Sequence, residues 1–317
     1  MKKIIIICPY FGKLPKDTFP LWLLSCKENP TVNWLIITDD KTQYNFPENV
    51  RVSYSTLEQF KKKAEKRLGF TISLESSYKL CDFKPTYGYI LEDKIKKYDY
   101  WGYCDISDCI FGDIRKFITD ELLQEYDKVG ILGHFCLYKN TRENNRRFML
   151  KSDSKTSYKE VLRAKNNMTF DELKPYSINA IYKKYNYKIC RIEKYYYDIS
   201  PLHYAFRRCV LNQDLEFICE KNKHTFFEWK NGKLARYSVS NNRYEKEELL
   251  YVHFQKRKIR RYFSELTTSF YIFPKGFIRN INIDDMKKIK AATTDRLYLP
   301  YFKLKFKSLK NRLKKLL

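Results

Sequence analysis

Residues 2–12 read KKIIIICPYFG, and the four consecutive isoleucines at 4–7 decide how the chain begins. β-Branched side chains suit a pleated surface, and a run with no polar alternation predicts a strand covered on both faces. Cys8-Pro9 and Gly12 supply its end. Working outward, Phe19–Cys26 predicts a helix, and VNWLIITDD (32–40) a second buried strand closed by Asp39 and Asp40. Residues 50–54 predict a third short strand, and 55–68 a lysine-rich helix. After a loop at 69–77, the 78–97 stretch is helical in pattern but interrupted at Pro85. Residues 98–103 return to strand, 113–126 to helix, and KVGILGHFCLYKN (128–140) to a strand pair. Strands alternating with helices predict an α/β fold with a mixed, mainly parallel sheet flanked by helices. Ligands of such sheets bind outside the carboxyl ends of the strands, where Asp39, Asp40 and the acids after residue 103 fall.

The chain has 317 residues, enough to bury a substantial core, and its 44% apolar content excludes a disordered protein. A formal charge of +25 is far from neutral and calls for an anionic partner: nucleic acid, an anionic membrane surface, or a phosphorylated small molecule. Nine cysteines are scattered without a CxxC pair, which suggests neither a zinc site nor a disulfide framework and fits a reducing compartment. Pro9 and Lys13 interrupt the N-terminal apolar run before a signal segment forms, and no stretch reaches the roughly 20 apolar residues of a membrane span. The expectation is a cytoplasmic protein without a spanning segment.

In YDYWGYCDISDCIFGDIRKF (98–117), Asp105, Asp108 and Asp113 lie within nine positions. Carboxylates this close repel unless a cation sits among them. Two acids at the end of a buried strand suit a hard divalent ion, Mn²⁺ or Mg²⁺, which neutralises charge on a departing diphosphate. The same letters also suit turn caps or the cap of the following helix, and Asp113 reads better as a cap.

YKLCDFKPTYG (78–88) followed by residues 98–117 resembles the central block of GT-A-type bacterial glycosyltransferases of polysaccharide biosynthesis, relatives of sugar transferases that carry a DxD motif. GHFCLYKN (133–140), the FDE at 170–172, WKNGKL (229–234) and YVHFQKRK (251–258) follow in an order similar to that family's. The resemblance implies a GT-A-like, Rossmann-like domain over 1–258, with a nucleotide-binding half over about 1–120 and an acceptor-binding half over about 121–258. A basic extension occupies 259–317. It implies transfer of a sugar from a nucleotide-sugar donor, UDP-linked by preference, to a glycan or lipid-linked glycan, with Mn²⁺ or Mg²⁺ on the diphosphate. One departure stands out: the motif has Ser107 where the second aspartate of a DxD would be, so Asp105 and Asp108 share an ion only if the chain turns between them.

By block order, the resemblance puts His253 with Asp105 and Asp108 as metal ligands, and Lys256 and Arg257 on the diphosphate. Pro9, Tyr10, Phe11, Asp39, Asp40 and Lys84 fall on the donor side, with Asp82 orienting Lys84, and His134 on the acceptor side. Asp171 or Glu172 is the base that takes the acceptor proton. Each has a plainer reading: a strand-end histidine, turn-forming aspartates, core aromatics, a surface Lys84–Asp82 pair, and a capping box from Thr169 to Glu172.

The segment YFKLKFKSLKNRLKKLL (301–317) carries seven Lys/Arg and no acid, with apolar residues at 302, 306, 309, 313 and 316. That spacing predicts a basic amphipathic helix suited to an anionic bilayer, and with it peripheral attachment to the inner face of the cell membrane. Two other classes compete. Charge and 17% aromatic content suit a nucleic-acid-binding protein, although no zinc finger, RNP1 pattern or GXXG loop is present. The altered DxD suits a glycan-binding relative without catalysis.

Overall fold

The computed structural model describes residues 1–299 except Ser107, Gln213 and Lys256, together with Phe302 and Phe306. The chain is mixed α/β and forms two compact units: Met1–Ser107 with Ile114–Ile192, and Asp108–Asp113 with Glu193–Leu317.

The first unit holds a seven-stranded sheet. Its strands in chain order are β1 (Ile4–Tyr10), β2 (Val32–Thr38), β3 (Val50–Tyr54) and β4 (Tyr100–Cys104). β5 (Cys109–Phe111) belongs to the second unit, and β6 (Lys128–Val129), β7 (Phe135–Lys139) and β8 (Ile189–Cys190) complete the first. Their spatial order is β3-β2-β1-β4-β7-β6-β8. β1 to β4 run parallel, while β7 is antiparallel to β4. Ile4 to Cys8 are fully buried, as a strand covered on both faces requires. β1 continues through Pro9 to Tyr10, past the expected stop. Its pairing with β4 ends at Ile7, so the proline lies where β1 has a neighbour only on the β2 side and its missing N–H is tolerated.

Helix α1 (Phe19–Lys27) buries Phe19, Leu21, Trp22, Leu23 and Cys26. Helix α2 (Leu57–Leu68) starts at a capping box from Thr56 to Gln59 and turns Phe60 and Ala64 inward, leaving its lysines in water. The 78–97 stretch is three short pieces: a 3-10 helix over Ser77–Thr86 that accommodates Pro85, then Tyr87–Ile90 and Glu92–Ile95. Between β4 and β7, Trp101 stacks on Tyr138 with centroids 4.5 Å apart and donates Nε1–H to Asn145 Oδ1 at 2.7 Å.

The second unit is mostly antiparallel. Its further strands are β9 (Tyr196–Asp198), β10 (Cys209–Leu211), β11 (Phe217–Cys219), β12 (Phe226–Lys230) and β13 (Lys233–Ser240). They continue with β14 (Arg243–Leu249), β15 (Tyr251–His253), β16 (Arg260–Arg261), β17 (Ser269–Phe273) and β18 (Gly276–Ile278). A six-stranded sheet has the order β14-β13-β12-β17-β18-β16, a three-stranded one β5-β15-β9, and β10 pairs with β11 alone. The expected Asn231-Gly232 turn joins β12 to β13 with φ of 48° and 77°, the left-handed pair that a two-residue hairpin needs. The core of the six-stranded sheet stacks Phe226 between Tyr237 and Phe273.

The expected boundary at 258 runs through this sheet: β17 pairs with β12, so residues beyond 258 are part of the unit and not an appendage. Among the described residues no helix is long and apolar enough to cross a membrane. The amphipathic segment at 301–317 lies outside the described residues apart from the exposed Phe302 and Phe306.

Candidate functional site

In the first unit the chain builds β1, β2 and β3 to one side and then crosses to β4 on the other, so strand order reverses between β1 and β4. The crevice outside the carboxyl ends at such a reversal is where open α/β sheets take ligands. Tyr10 ends β1, Asp39 and Asp40 follow β2, and Asp105 follows β4. β7 runs the other way and brings its amino end to this edge. Asp105 N–H donates to His134 O at 3.0 Å.

The centre of this edge is Lys84. Its buried ammonium donates to Asp105 Oδ1 at 2.5 Å and to Gly133 O at 2.8 Å, and lies 3.6 Å from Asp171 Oδ2. It also sits 5.6 Å from the centre of the Tyr103 ring. Burial opposes its charge, yet the neighbouring Asp105, Cys81 and Asp171 hold its pKa well above the ordinary lysine value. The cation that the clustered acids require is, in this unit, a lysine. Lys84, expected to contact the donor, spends its hydrogen bonds inside the protein instead.

Asp171 is 2% exposed, and burial pushes its carboxyl up to about 7, against the pull of Lys84 and with the push of Glu172 and Asp105. The site forces this close approach. A Cβ added to Gly133 would lie 2.2 Å from Asp171 Oδ2 and 3.3 Å from Glu172 Oε1, so only glycine lets the turn before β7 pass. Glu172 itself is half-buried, and its carbonyl accepts from Asn179 Nδ2 at 2.6 Å.

The expected capping box at Thr169 is absent. Thr169 has φ of 54° and donates its hydroxyl to Met168 O, and the next helix begins later, at Ile178 after the cap Ser177. What shapes the segment is Asp82. It accepts from Met168 N at 2.8 Å and Phe170 N at 2.9 Å, and from the buried Lys79 Nζ at 2.7 Å. Asp82 therefore does not orient Lys84, and neither residue is a surface partner of the other. It fixes the turn that carries Asp171.

On the β1–β2 side, Asp39 Oδ1 accepts from Gly12 N at 2.7 Å. Asp40 is a turn clamp. It accepts from Lys13 Nζ and Leu14 N, both at 2.9 Å, and from Thr42 Oγ1 at 2.6 Å. Burial opposes its charge, but these bonds hold the carboxyl far below the ordinary range, and its oxygens are spent on the fold rather than on a donor. Phe11 is half-buried against the core, its ring 6.1 Å from Phe60; Tyr10 is also half-buried, and Pro9 lies within β1.

In the second unit, β15 pairs with both β5 and β9. His253 stands opposite Asp198 in that register, and its Nδ1 lies 2.8 Å from Asp198 Oδ1. Gln255 Nε2 donates to both Asp198 oxygens at 2.9 Å. Phe254 N–H donates to Asp108 O at 2.7 Å, which brings Asp108 to the His253 end of the same sheet. A carboxylate on Nδ1 fixes the ring and leaves the lone pair of the neutral tautomer on Nε2, the arrangement of histidines that ligate metals. Asp108 thus meets this sheet through its backbone carbonyl, while Asp105 belongs to the first unit.

Arg257 does not fit the diphosphate role. Its buried guanidinium donates to the carbonyls of Ser200, His203, Tyr204 and Ala205, pinning that loop. Lys256 lies outside the described residues.

Three residues central to these arrangements were not singled out from sequence. Gly133 was read only as a neighbour of His134, Lys79 as part of a block, and Asp198 not at all. Asp198 sits in a tyrosine-rich stretch (195–198) with no pattern of its own, and only the pairing of β9 with β15 gives it a partner.

No curated protein matches the chain. A family model does match it over residues 6–281, most of its length: the chain belongs to the family of unknown function DUF6625.

Proposed function

We propose that this protein is a glycosyltransferase with a GT-A-like, Rossmann-like nucleotide-binding sheet. It takes a nucleotide-sugar, by preference UDP-linked, at the carboxyl edge of β1, β2 and β4 and passes the sugar to a hydroxyl of a glycan or lipid-linked glycan. The observation that carries the reading is the Lys84–Asp105–Asp171 cluster at the strand-order reversal. The order of sequence blocks supports it independently.

An acceptor hydroxyl attacking an anomeric carbon must lose a proton as the diphosphate leaves, and a carboxyl that titrates near neutral pH takes it most effectively. Asp171 is such a group. Asp105, with one-third of its side chain exposed, holds the same ammonium that Asp171 faces and so ties the buried carboxyl to the crevice. Lys84 keeps the cluster from accumulating negative charge opposite a diphosphate.

A divalent ion, Mn²⁺ or Mg²⁺, would supply neutralisation of charge on a departing diphosphate. Within the second unit taken by itself, Asp198 fixes the imidazole of His253, which would offer Nε2 as one ligand to such an ion. The basic sequence at 301–317 would hold the protein at an anionic membrane face, where a lipid-linked acceptor resides.

The test is release of nucleoside diphosphate from a panel of nucleotide-sugars, with and without Mn²⁺, by the wild-type protein and by Lys84→Met. Release from one donor class that is lost in the variant is the expected result. No release from any donor, or equal release by the variant, would end the proposal.

A further inference from the structure

Cys209 on β10 and Cys219 on β11 stand directly opposite each other. On one side of them Glu220 N–H donates to Arg208 O at 2.9 Å, and at the turn Asn212 N–H donates to Glu216 O at 3.0 Å. Hydrogen-bonded and non-hydrogen-bonded pairs alternate along an antiparallel ladder, so by parity the two cysteines form a non-hydrogen-bonded pair. At such pairs the Cα atoms are about 4.5 Å apart and the side chains approach most closely, within the roughly 4.4–6.8 Å that a disulfide spans. Both thiols are reduced, Cys219 is exposed and Cys209 is half-buried. His203 Nδ1 lies 3.7 Å from Cys219 Sγ and 3.2 Å from Ser200 Oγ.

We propose that Cys209 and Cys219 form a reversible dithiol–disulfide site, entered at Cys219 by low-molecular-weight disulfides. The reaction is thiol–disulfide exchange. The Cys219 thiolate attacks one sulfur of the small disulfide, forming a mixed disulfide and releasing one small thiol. Cys209, deprotonated in its turn, attacks the Cys219 sulfur and releases the second. Two protein thiols become one cystine, and one small disulfide becomes two small thiols.

The order follows from exposure and charge. The hydrogen bond shared with Cys209 brings the Cys219 thiol down to about 6, while the same bond and burial push Cys209 up, so the reachable sulfur is the nucleophile. The contrast lies in the first unit, where Cys8 and Cys104 have Sγ atoms 3.5 Å apart but are both buried on neighbouring parallel strands. The spacing of Cys209 and Cys219 matches no sequence pattern for paired cysteines, so the sequence alone suggested no disulfide; the hairpin register supplies the pairing. This site is independent of the glycosyl-transfer reading.

The test treats the full-length protein with oxidised glutathione near neutral pH, then counts thiols in denaturant and maps disulfides by peptide mass spectrometry. The wild type should lose two thiols and yield a Cys209–Cys219 peptide, reversed by dithiothreitol. Cys209→Ser should stop at a glutathione adduct on Cys219, and Cys219→Ser should leave Cys209 unmodified over the same interval. No loss of thiols, a disulfide between any other pair, or wild-type rates of modification at Cys209 in Cys219→Ser would overturn the proposal.

Discussion

Replacing Asp171 with asparagine tests the buried carboxyl directly, because asparagine has nearly the shape of the protonated acid and cannot ionise. The carboxyl is raised from 3.8 to about 7 in the folded protein, so between those values the folded state holds a proton that the unfolded state has released. Stability then falls as pH rises through that window, and above about 7 the fold carries an ionised, buried carboxylate. At about 1.36 kcal/mol for each pH unit between 3.8 and about 7, the effect has a ceiling near 4 kcal/mol. For a unit of about 150–250 residues each kcal/mol moves the melting temperature by about 2–4 °C, so the effect is on the order of 10 °C. Thermal unfolding followed by circular dichroism at several pH values should give nearly equal melting temperatures for wild type and Asp171→Asn near pH 4. The variant should become progressively the more stable of the two up to about pH 8. Parallel curves across that range would refute the reasoning, since they would mean that Asp171 titrates as an ordinary carboxylate.

Lys84→Met removes the ammonium between two acids and should destabilise the protein by about 3–5 kcal/mol in urea unfolding, with part recovered in Lys84→Met/Asp171→Asn. Full additivity of the two changes would deny the coupling. Gly133→Ala pushes a methyl group into Asp171 and should cost about 1–3 kcal/mol through overpacking. Donor turnover should fall by much more than that loss accounts for, and unchanged turnover would exclude Asp171 from the chemistry. Asp198→Asn should weaken Mn²⁺ binding about 10–100-fold in calorimetry, because Asp198 sets the ring of His253. His253→Ala should abolish that binding, and wild-type affinity in both variants would remove the ion from this unit.

The strands of the first unit and the β12–β13 turn of the second were readable because their signal is local. Ile4–Ile7 and the apolar run in Val32–Thr38 carry strand propensity and burial in the same letters, and Asn231-Gly232 names its own turn chemistry. The candidate site was readable in membership but not in partnership. Lys84, Asp105 and Asp171 were each singled out, yet separately, as a donor contact, a metal ligand and a base. Their mutual pairing joins positions 21 to 87 residues apart, which no short pattern encodes. The TFDE letters at 169–172 misled for the same reason: the local rule offers a helix cap, while Asp82, 88 residues before Phe170, imposes a different backbone. The boundary at 258 failed because β12 finds its partner β17 nearly forty residues on, across a change in charge density that suggested a new segment.

The central claim is that the edge of the first unit's sheet takes a nucleotide-sugar and that its acid cluster accepts the acceptor's proton. The most direct measurement is the pH–rate profile of nucleoside-diphosphate release in the presence of a glycan acceptor, for wild type and Asp171→Asn. The account predicts a wild-type rate that rises with pH through a midpoint near 7, with that limb missing and the rate strongly reduced in the variant. A flat profile through neutral pH, or identical profiles for the two proteins, would contradict it.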